Sequence, residues 1–255
     1  SELRNIHILD NLTINSGYTL TLAEDTKVSI AAGKSIDVNG TLTVNDGVTF
    51  TKSGASNWAG IDINSSGVFD KDGDVSIEYA TTGIDIYNTN GMQGGYQITM
   101  QNCSNAGVHI HNCNPTIKEV SISGATGGYG GILVEGSTSD ATLHDITITG
   151  CGKGILQGNY ADATVYRNDI RSNTDDCVYL GTNSLLAMDY FEGAWYNGDN
   201  YIDPDNDSYA IMNTSTSGSI DAETNYWGTP TPTTSLFGYS ANVDYIPYHD
   251  SVGDL

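Results

Sequence analysis

Two histidines stand one residue apart in the segment GVHIHN at residues 107–112. Successive side chains of a β-strand point to opposite faces, so His109 and His111 share one face while Val108 and Ile110 share the other. Imidazole nitrogens bind transition metals and act as acids or bases near neutral pH. The chemistry open to this pair therefore depends on the residues that lie beside it in neighbouring strands.

The segment that carries the histidines belongs to a series of short apolar relatives. Successive members begin 23 to 25 residues apart, and self-similarity at such a period is the signature of repeat architectures. LTI at 12–14 fits one period earlier, and YAIM at 209–212 resumes the series after an insertion at 181–208. The relatives are SIDV at 35–38, GIDI at 60–63, GIDI at 83–86, GVHI at 107–110, GILV at 131–134, GILQ at 154–157 and CVYL at 177–180.

Further short strands are predicted between these segments, because polar and apolar residues alternate there. A third series, near the start, aligns GYTLTL at 17–22 with GTLTV at 40–44. No stretch of useful length has the periodicity of a helix. The second series aligns DVSIEYA at 74–80, QITMQNCSNA at 97–106, EVSISGA at 119–125, DITITGC at 145–151 and NDIRSNT at 168–174.

Each period thus holds two or three short strands, which predicts an all-β solenoid with one coil per repeat. Over roughly residues 12–228 the chain resembles the right-handed parallel β-helix family, the architecture of pectate lyases and many bacterial surface proteins. The resemblance implies a single-stranded right-handed parallel β-helix of about nine coils of ~23 residues. We expect one domain over residues 1–255, with caps at 1–11 and 229–255.

Coil stacking places equivalent outward residues in columns at intervals of ~4.8 Å. Two such columns on one face combine carboxylates, imidazoles and a tyrosine. The first contains Thr13, Asp37, Asp62, Asp85, His109, Leu133, Leu156 and Tyr179, and the second contains Asn15, Asn39, Asn64, Tyr87, His111, Glu135, Gly158 and Gly181.

Three stacked carboxylates, Asp37, Asp62 and Asp85, repel one another at this spacing. Either a proton is shared among them at a raised pKa, or a cation lies between them. Their oxygens, with the nearby Asn64, are ligands of the kind that calcium prefers. The remaining alternative is a solvated strand face without a ligand.

The histidine part of the face has different chemistry. His109, His111 and Glu135 form a mixed nitrogen and oxygen set, which suits a transition metal rather than calcium. The same three residues, together with Asp85, are candidates for catalytic acids and bases.

Two acidic segments, DKDGD and DPDNDS, are predicted to be loops with calcium-binding character, since alternating Asp and small residues are common in calcium loops. Neither reproduces an EF-hand, and a solvated acidic loop is the alternative. The candidate metal ligands are Asp70, Asp72 and Asp74 in the first segment and Asp203, Asp205 and Asp207 in the second.

NTDDC at 173–177 resembles fragments of the polygalacturonase signature, which would make Asp175 and Asp176 a catalytic pair. Glycoside hydrolysis needs two carboxyl groups about 5 to 9.5 Å apart. The GHG and RIK motifs of that family have no match in this chain. The segment is therefore better interpreted as a turn before the CVYL strand.

Aromatic side chains provide a candidate glycan-binding surface, because sugars bind flat apolar rings beside hydrogen-bonding groups. The insertion after Leu180 is rich in aromatic residues interleaved with acids, and long loops in regular folds are often functional. Packing of these rings on the coil beneath is the alternative. The candidates are Tyr87, Phe191, Trp195, Tyr196 and Tyr201.

The composition excludes several classes of partner. With 31 acidic and 9 basic residues, the formal net charge is −22, which disfavours nucleic acid and anionic membranes. No apolar run approaches the roughly 20 residues that span a bilayer.

Cys103, Cys113, Cys151 and Cys177 are expected to be mostly buried free thiols. No organic cofactor is expected.

These features favour a secreted or cell-surface bacterial module, within a larger secreted protein, that binds polysaccharide or a cell-surface glycan or serves as an adhesion scaffold. Calcium is the expected stabilising ion. The alternative is a polysaccharide lyase or a glycoside hydrolase that acts on an extracellular polysaccharide, and the sequence favours the non-catalytic reading.

Overall fold

A computed structural model describes residues 5–88, 91–188, 200–203, 209–214, 220–222, 225–229, 233–238 and 243–244. Within them the chain is an all-β solenoid of parallel strands, with about nine coils of ~23 residues. The predicted fold class is confirmed. The described residues contain no helix long and apolar enough to cross a membrane.

The strands form three parallel sheets, and each early coil visits sheet 2, then sheet 3, then sheet 1. A short 3₁₀ turn covers Thr234–Leu236.
Sheet 1 contains β1 (Asn5–Ile8), β4 (Lys27–Ile30), β7 (Val48–Lys52), β10 (Val75–Glu78), β13 (Ile98–Gln101), β15 (Thr116–Ser123), β17 (Asp140–Thr149), β19 (Asp162–Tyr166), β20 (Asp169–Arg171), β22 (Leu186–Ala187), β23 (Tyr201–Asp203), β25 (Ile220–Asp221) and β27 (Val243–Asp244).
Sheet 2 contains β2 (Leu12–Ile14), β5 (Ser35–Val38), β8 (Gly60–Ile63), β11 (Thr82–Ile86), β14 (Ala106–His111), β16 (Gly130–Glu135), β18 (Ile155–Gln157), β21 (Val178–Leu180), β24 (Ile211–Asn213) and β26 (Phe237–Gly238).
Sheet 3 contains β3 (Thr19–Leu22), β6 (Thr41–Asn45), β9 (Val68–Asp72) and β12 (Met92–Gln93).

Alternation along each strand sends aliphatic side chains inward, where equivalent residues stack from coil to coil. In sheet 2, Ile61, Ile84 and Val108 are paired neighbours, and each is fully buried. Burial of apolar surface at about 25 cal/mol per Å² is the main source of stability in such a core. The four cysteines are buried free thiols, as expected from the sequence.

A column of residues with left-handed backbone conformation turns the chain from sheet 1 towards sheet 2. Each member directly follows a strand of sheet 1, and consecutive members lie one coil apart. The same left-handed corner therefore recurs before five successive strands of sheet 2, from β11 to β21. The members are Tyr79 (φ 55°), Asn102 (φ 56°), Gly124 (φ 66°), Gly150 (φ 62°) and Ser172 (φ 53°).

The sequence prediction of a loop at DKDGD is wrong. Asp70 and Asp72 lie in β9, which pairs with β6 and β12 in sheet 3. Between them, Lys71 points inward and is almost fully buried, and its Nζ donates to the carbonyl of Tyr96. The Asp-rich composition concealed a strand because the alternation runs through a lysine rather than an aliphatic residue.

Strand pairing extends into the segments that the sequence assigns to caps and insertion. Strand β1 pairs with β4, and β26 and β27 continue sheets 2 and 1 beyond residue 228. Within the predicted insertion, β22 and β23 join sheet 1 through β19 and β20.

A buried ladder of asparagines joins the last coils. The backbone N–H and Nδ2 of Asn168 donate to Asn200 Oδ1, each at 3.0 Å. Asn200 in turn donates from its backbone N–H and Nδ2 to Asn225 Oδ1, at 3.1 and 2.7 Å. Its Nδ2 also lies 3.0 Å from the carbonyl of Val165. Each side chain therefore satisfies backbone and amide groups of the adjacent coil inside the core.

We predict that Asn200→Ala lowers the free energy of unfolding by about 2–4 kcal/mol, because it leaves buried donors and acceptors of two coils without partners. Chemical denaturation of the full chain measures the change. The matched control is Asn114→Ala, where an exposed side chain accepts from the N–H of Asp140 at 2.9 Å. Equal destabilisation by both variants would contradict a special contribution from the buried ladder.

Candidate functional site

The predicted columns exist on the outer face of sheet 2. Asp62 pairs with Asp85 and Asp85 with His109 in the strand register. His111 pairs with Glu135 one position further along. Because strand pairing fixes these side chains on the same face, four neighbouring coils contribute to one polar surface.

Four of these residues form the imidazole–carboxylate cluster: Asp85, His109, His111 and Glu135. Asp85 Oδ1 lies 3.0 Å from His109 Nδ1 and 3.1 Å from His111 Nε2. Glu135 Oε1 lies 2.9 Å from His109 Nε2 and 3.1 Å from His111 Nδ1. Both imidazoles are thus held between the same two carboxylates, with ring centroids 3.5 Å apart.

The cluster is buried at one end and open at the other. The side chains of Asp85, His109 and His111 are 16%, 11% and 17% exposed, whereas that of Glu135 is 44% exposed. Burial on its own raises the pKa of Asp85, but the contacts with the two imidazoles outweigh it and hold that pKa below its usual value. Asp85 is therefore an anion at neutral pH.

Two tyrosine rings lie against the imidazoles. The Tyr87 ring stacks on His111 with centroids 4.3 Å apart and an interplanar angle of 7°. Tyr129, in the turn before β16, lies with its centroid 5.9 Å from that of His109. Both tyrosines are largely exposed, so they frame the cluster with accessible aromatic surface.

Asp37 and Asp62 continue the row on the other side of Asp85. Asp37 accepts hydrogen bonds from Ser35 Oγ at 2.7 Å and Thr13 Oγ1 at 3.3 Å. Burial, the charge of Asp85 and a hydrogen bond with Asp37 together raise the pKa of Asp62 to about 7. A raised pKa of this kind follows from carboxylates held close together at this spacing.

The row becomes apolar beyond His109. Leu133 occupies the next outward position, yet only 2% of its surface is exposed. Leu156 and Tyr179 follow in register. The polar surface therefore ends at β16, as the column order predicts.

The other predicted metal ligands do not join this cluster. Asp70 and Asp72 lie on sheet 3, and Asp74 follows in the turn before β10, where its Oδ1 accepts from the N–H of Gln97 at 3.1 Å. Asp203 lies in β23 and accepts from Tyr201 Oη at 3.2 Å. Outside the described residues lie the candidates Asp205, Asp207, Phe191, Trp195 and Tyr196.

Asp175 and Asp176 occupy a turn before β21, as the sequence favours. Asp175 pairs with Lys153. Asp176 is buried, and its Oδ1 accepts from the N–H of Tyr209 at 3.3 Å. Burial and the neighbouring charge of Asp175 raise the pKa of Asp176.

Sequence reasoning missed Tyr129, which precedes β16 and lies outside both outward columns. The signal that would find it is the run GGYGG, residues 127–131, because glycines on both sides leave one large ring in a tight turn. Gly130 has φ 76°, a conformation that favours glycine. This turn brings the tyrosine over His109.

Residues 82–190 match the family model described as a right handed beta helix region. No curated protein and no solved structure matches the chain. Over these residues the chain is similar to the right-handed parallel β-helix family, and the parallel coil topology agrees with that similarity. The matched residues include the whole imidazole–carboxylate cluster.

We predict that the stability difference between Asp62→Asn and the wild type depends on pH. The folded-state pKa of Asp62, about 7, lies above the usual aspartate value of 3.8. Its contribution to stability is therefore present below the unfolded pKa and is lost as pH rises towards 7. Because solvent screens this partly exposed carboxyl group, we expect a modest effect. The free energy of unfolding of Asp62→Asn should rise by about 1–2 kcal/mol relative to the wild type over this pH range.

Denaturation curves at several pH values, in the presence of a chelator, measure this difference. Asp140→Asn, at an exposed position of β17, is the control for the loss of a carboxylate from the strand surface. A difference between Asp62→Asn and the wild type that does not vary with pH would contradict the raised pKa.

Proposed function

We propose that the protein is a non-catalytic glycan-binding module built on a β-helix scaffold, and that it belongs to a secreted or cell-surface bacterial protein. The observation that carries the proposal is the pair of exposed tyrosines that frames the polar surface of sheet 2. Tyr87 and Tyr129 are 43% and 41% exposed. The Glu135 side chain is 44% exposed and contacts both imidazoles on which the tyrosines lie.

This arrangement matches what a saccharide needs from a protein surface. An aromatic face supports the apolar side of a sugar ring, and nearby polar groups exchange hydrogen bonds with its hydroxyls. Tyr87 is held in place by its stacking on His111, so little side-chain entropy is lost on binding. A rigid aromatic platform beside acceptors therefore favours binding without large rearrangement.

The charge of the chain limits the type of glycan. A net charge of −22 repels polyanionic polysaccharides unless a cation bridges the two. The carboxylates of Asp85 and Glu135 add to this repulsion on the proposed binding surface. The proposal is therefore a neutral polysaccharide, and calcium stabilisation of the scaffold is proposed as a separate property.

Two features favour a binding role over catalysis at this surface. Asp85 accepts contacts from two imidazoles and its pKa is lowered, so it does not hold the proton that a general acid must deliver. Three basic side chains of the described region, Lys153, Arg167 and Arg171, each form an ion pair with a carboxylate. Uronate neutralisation by these groups would require breaking those pairs.

A polysaccharide lyase or glycoside hydrolase is the second candidate, and the turn at Asp175 and Asp176 favours it. Asp176 is buried with a raised pKa, whereas Asp175 is exposed beside Lys153. Two carboxyl groups in such different environments are the usual starting point for an acid and base pair. The hydrogen bond from Tyr209 to Asp176 is equally explained by a structural role.

We expect Tyr87→Ala to weaken retention on the best neutral polysaccharide about 3- to 10-fold, the equivalent of one aromatic stacking contact. Affinity electrophoresis of the folded full chain over a panel of neutral and acidic polysaccharides measures retention. Tyr96→Ala is the matched control, because Tyr96 is 47% exposed but lies between sheets 3 and 1. Equal retention by both variants would contradict the proposed surface.

Oligosaccharide release is measured on the same panel, with added calcium and again with chelator. No release from any substrate is expected. Release that is lost in Asp176→Asn and retained in Tyr87→Ala would replace the binding proposal with the hydrolase or lyase alternative.

A further inference from the structure

The imidazole–carboxylate cluster has fewer N–H donors than it has contacts between imidazole nitrogens and carboxylate oxygens, if both rings are neutral. All four nitrogens of His109 and His111 lie within 3.1 Å of a carboxylate oxygen. A neutral imidazole has one N–H and one lone pair, so each ring must turn a lone pair towards one carboxylate. Protonating both rings fully would place two cations with centroids 3.5 Å apart.

This mismatch leaves one imidazole nitrogen without a hydrogen bond. His109 Nε2 is 2.9 Å from Glu135 Oε1, yet it is a buried atom with no hydrogen-bond partner among the described residues. A short distance without a hydrogen bond means that Glu135 Oε1 is close to His109 Nε2 but lies off the direction in which an N–H would donate. His109 is only 8% exposed, and an unsatisfied buried polar group is costly.

We propose that Asp85, His109 and His111 bind a single first-row transition-metal dication, with zinc as the best fit, and that Glu135 orients the two imidazoles from the outside. The lone pairs of His109 Nδ1 and His111 Nε2 then face the metal beside Asp85 Oδ1. The opposite nitrogens carry the protons and lie 2.9 and 3.1 Å from Glu135 Oε1. Each ring has one defined tautomer, and the proton conflict disappears.

The two distances from Asp85 to the imidazoles fit this arrangement. Zinc bonds to imidazole nitrogen and carboxylate oxygen are about 2.0–2.2 Å long, so two ligand atoms at 90–110° stand roughly 3.0–3.5 Å apart. Asp85 Oδ1 lies 3.0 Å from His109 Nδ1 and 3.1 Å from His111 Nε2. One ligand atom from each of the three residues lies within 4.8 Å of the others.

The ligand set selects against calcium, which the sequence analysis suggested for the carboxylates Asp37, Asp62 and Asp85 and not for the histidines. Calcium takes oxygen ligands in sets of six to eight, whereas two of the three donors here are imidazole nitrogens. Imidazole suits zinc, copper, iron and nickel. The outer carboxylate on the far ring nitrogens is the usual companion of a metal-bound histidine.

The surrounding fold holds the ligands before any metal arrives. Asp85, the two histidines and Glu135 come from β11, β14 and β16, which are consecutive strands of sheet 2. Stacking against Tyr87 fixes the His111 ring plane. A metal at this site would join adjacent coils, so its binding should also raise the thermal stability of the chain.

His144 provides a built-in contrast. Its Nδ1 lies 2.7 Å from Asp145 Oδ2, and its ring stacks on Tyr166 at 4.8 Å. Arg167 also pairs with Asp145, so a guanidinium already supplies the positive charge there. The chain therefore contains a second histidine with a carboxylate and a tyrosine, but without the converging donor set.

The test is metal binding to the chelator-treated full chain. Zinc is titrated by calorimetry, and cobalt by the visible absorption that appears when it binds nitrogen ligands. The wild type should bind a single equivalent of either metal and should show a raised melting temperature. His109→Ala and His111→Ala should weaken binding by more than about 100-fold, beyond the range for losing an outer hydrogen-bond partner. His144→Ala should bind like the wild type.

Circular dichroism in chelator checks that each variant is folded, and His111→Gln replaces His111→Ala if the smaller residue prevents folding. The proposal is overturned if the wild type shows no saturable zinc or cobalt binding, or if a folded variant of either histidine binds within about 10-fold of the wild type. Calcium that displaces the metal at comparable concentration would also overturn it. Polysaccharide retention is measured separately, and neither result depends on the other.

Discussion

Parallel pairing of successive coils is the constraint on which the rest of the structure depends. Each residue lies beside its equivalent in the next coil at ~4.8 Å, so a single choice of residue is repeated as a column. Aliphatic columns such as Ile61, Ile84 and Val108 gain from this repetition, because like side chains pack well. Carboxylate columns are destabilised by it, because like charges approach closely.

The candidate site is where the chain resolves such a conflict. Asp37, Asp62 and Asp85 would repel if all were ionised, and the column changes to His109 in the next coil. Burial and the neighbouring carboxylates raise the pKa of Asp62 to about 7, and both imidazoles contact Asp85. The row of stacked carboxylates therefore ends where histidine replaces aspartate, at His109. The same replacement places nitrogen ligand atoms next to the oxygen ligand atoms of Asp85.

The period of 23 to 25 residues was sufficient to predict the fold and the register of sheet 2, since both depend on local alternation. The period did not predict the structure where a residue differs in type from its equivalents in the other coils. DKDGD was mistaken for a loop because Lys71 replaces an inward aliphatic residue. The ladder of Asn168, Asn200 and Asn225 escaped notice because longer connections separate its members, so their common position is apparent only from the hydrogen bonds.

The interatomic distances within the candidate site also could not be predicted from the sequence. Register places His109 beside Asp85, but it does not say that both imidazoles lie between Asp85 and Glu135 or that Tyr129 lies against His109. Those details depend on rotamers and on a glycine-rich turn outside the columns. A rigid coil stack makes such details reproducible, because backbone hydrogen bonds on both sides of β14 prevent the ligands from moving apart. The scaffold thus contributes preorganisation, and the few residues that interrupt its repetition contribute the chemistry.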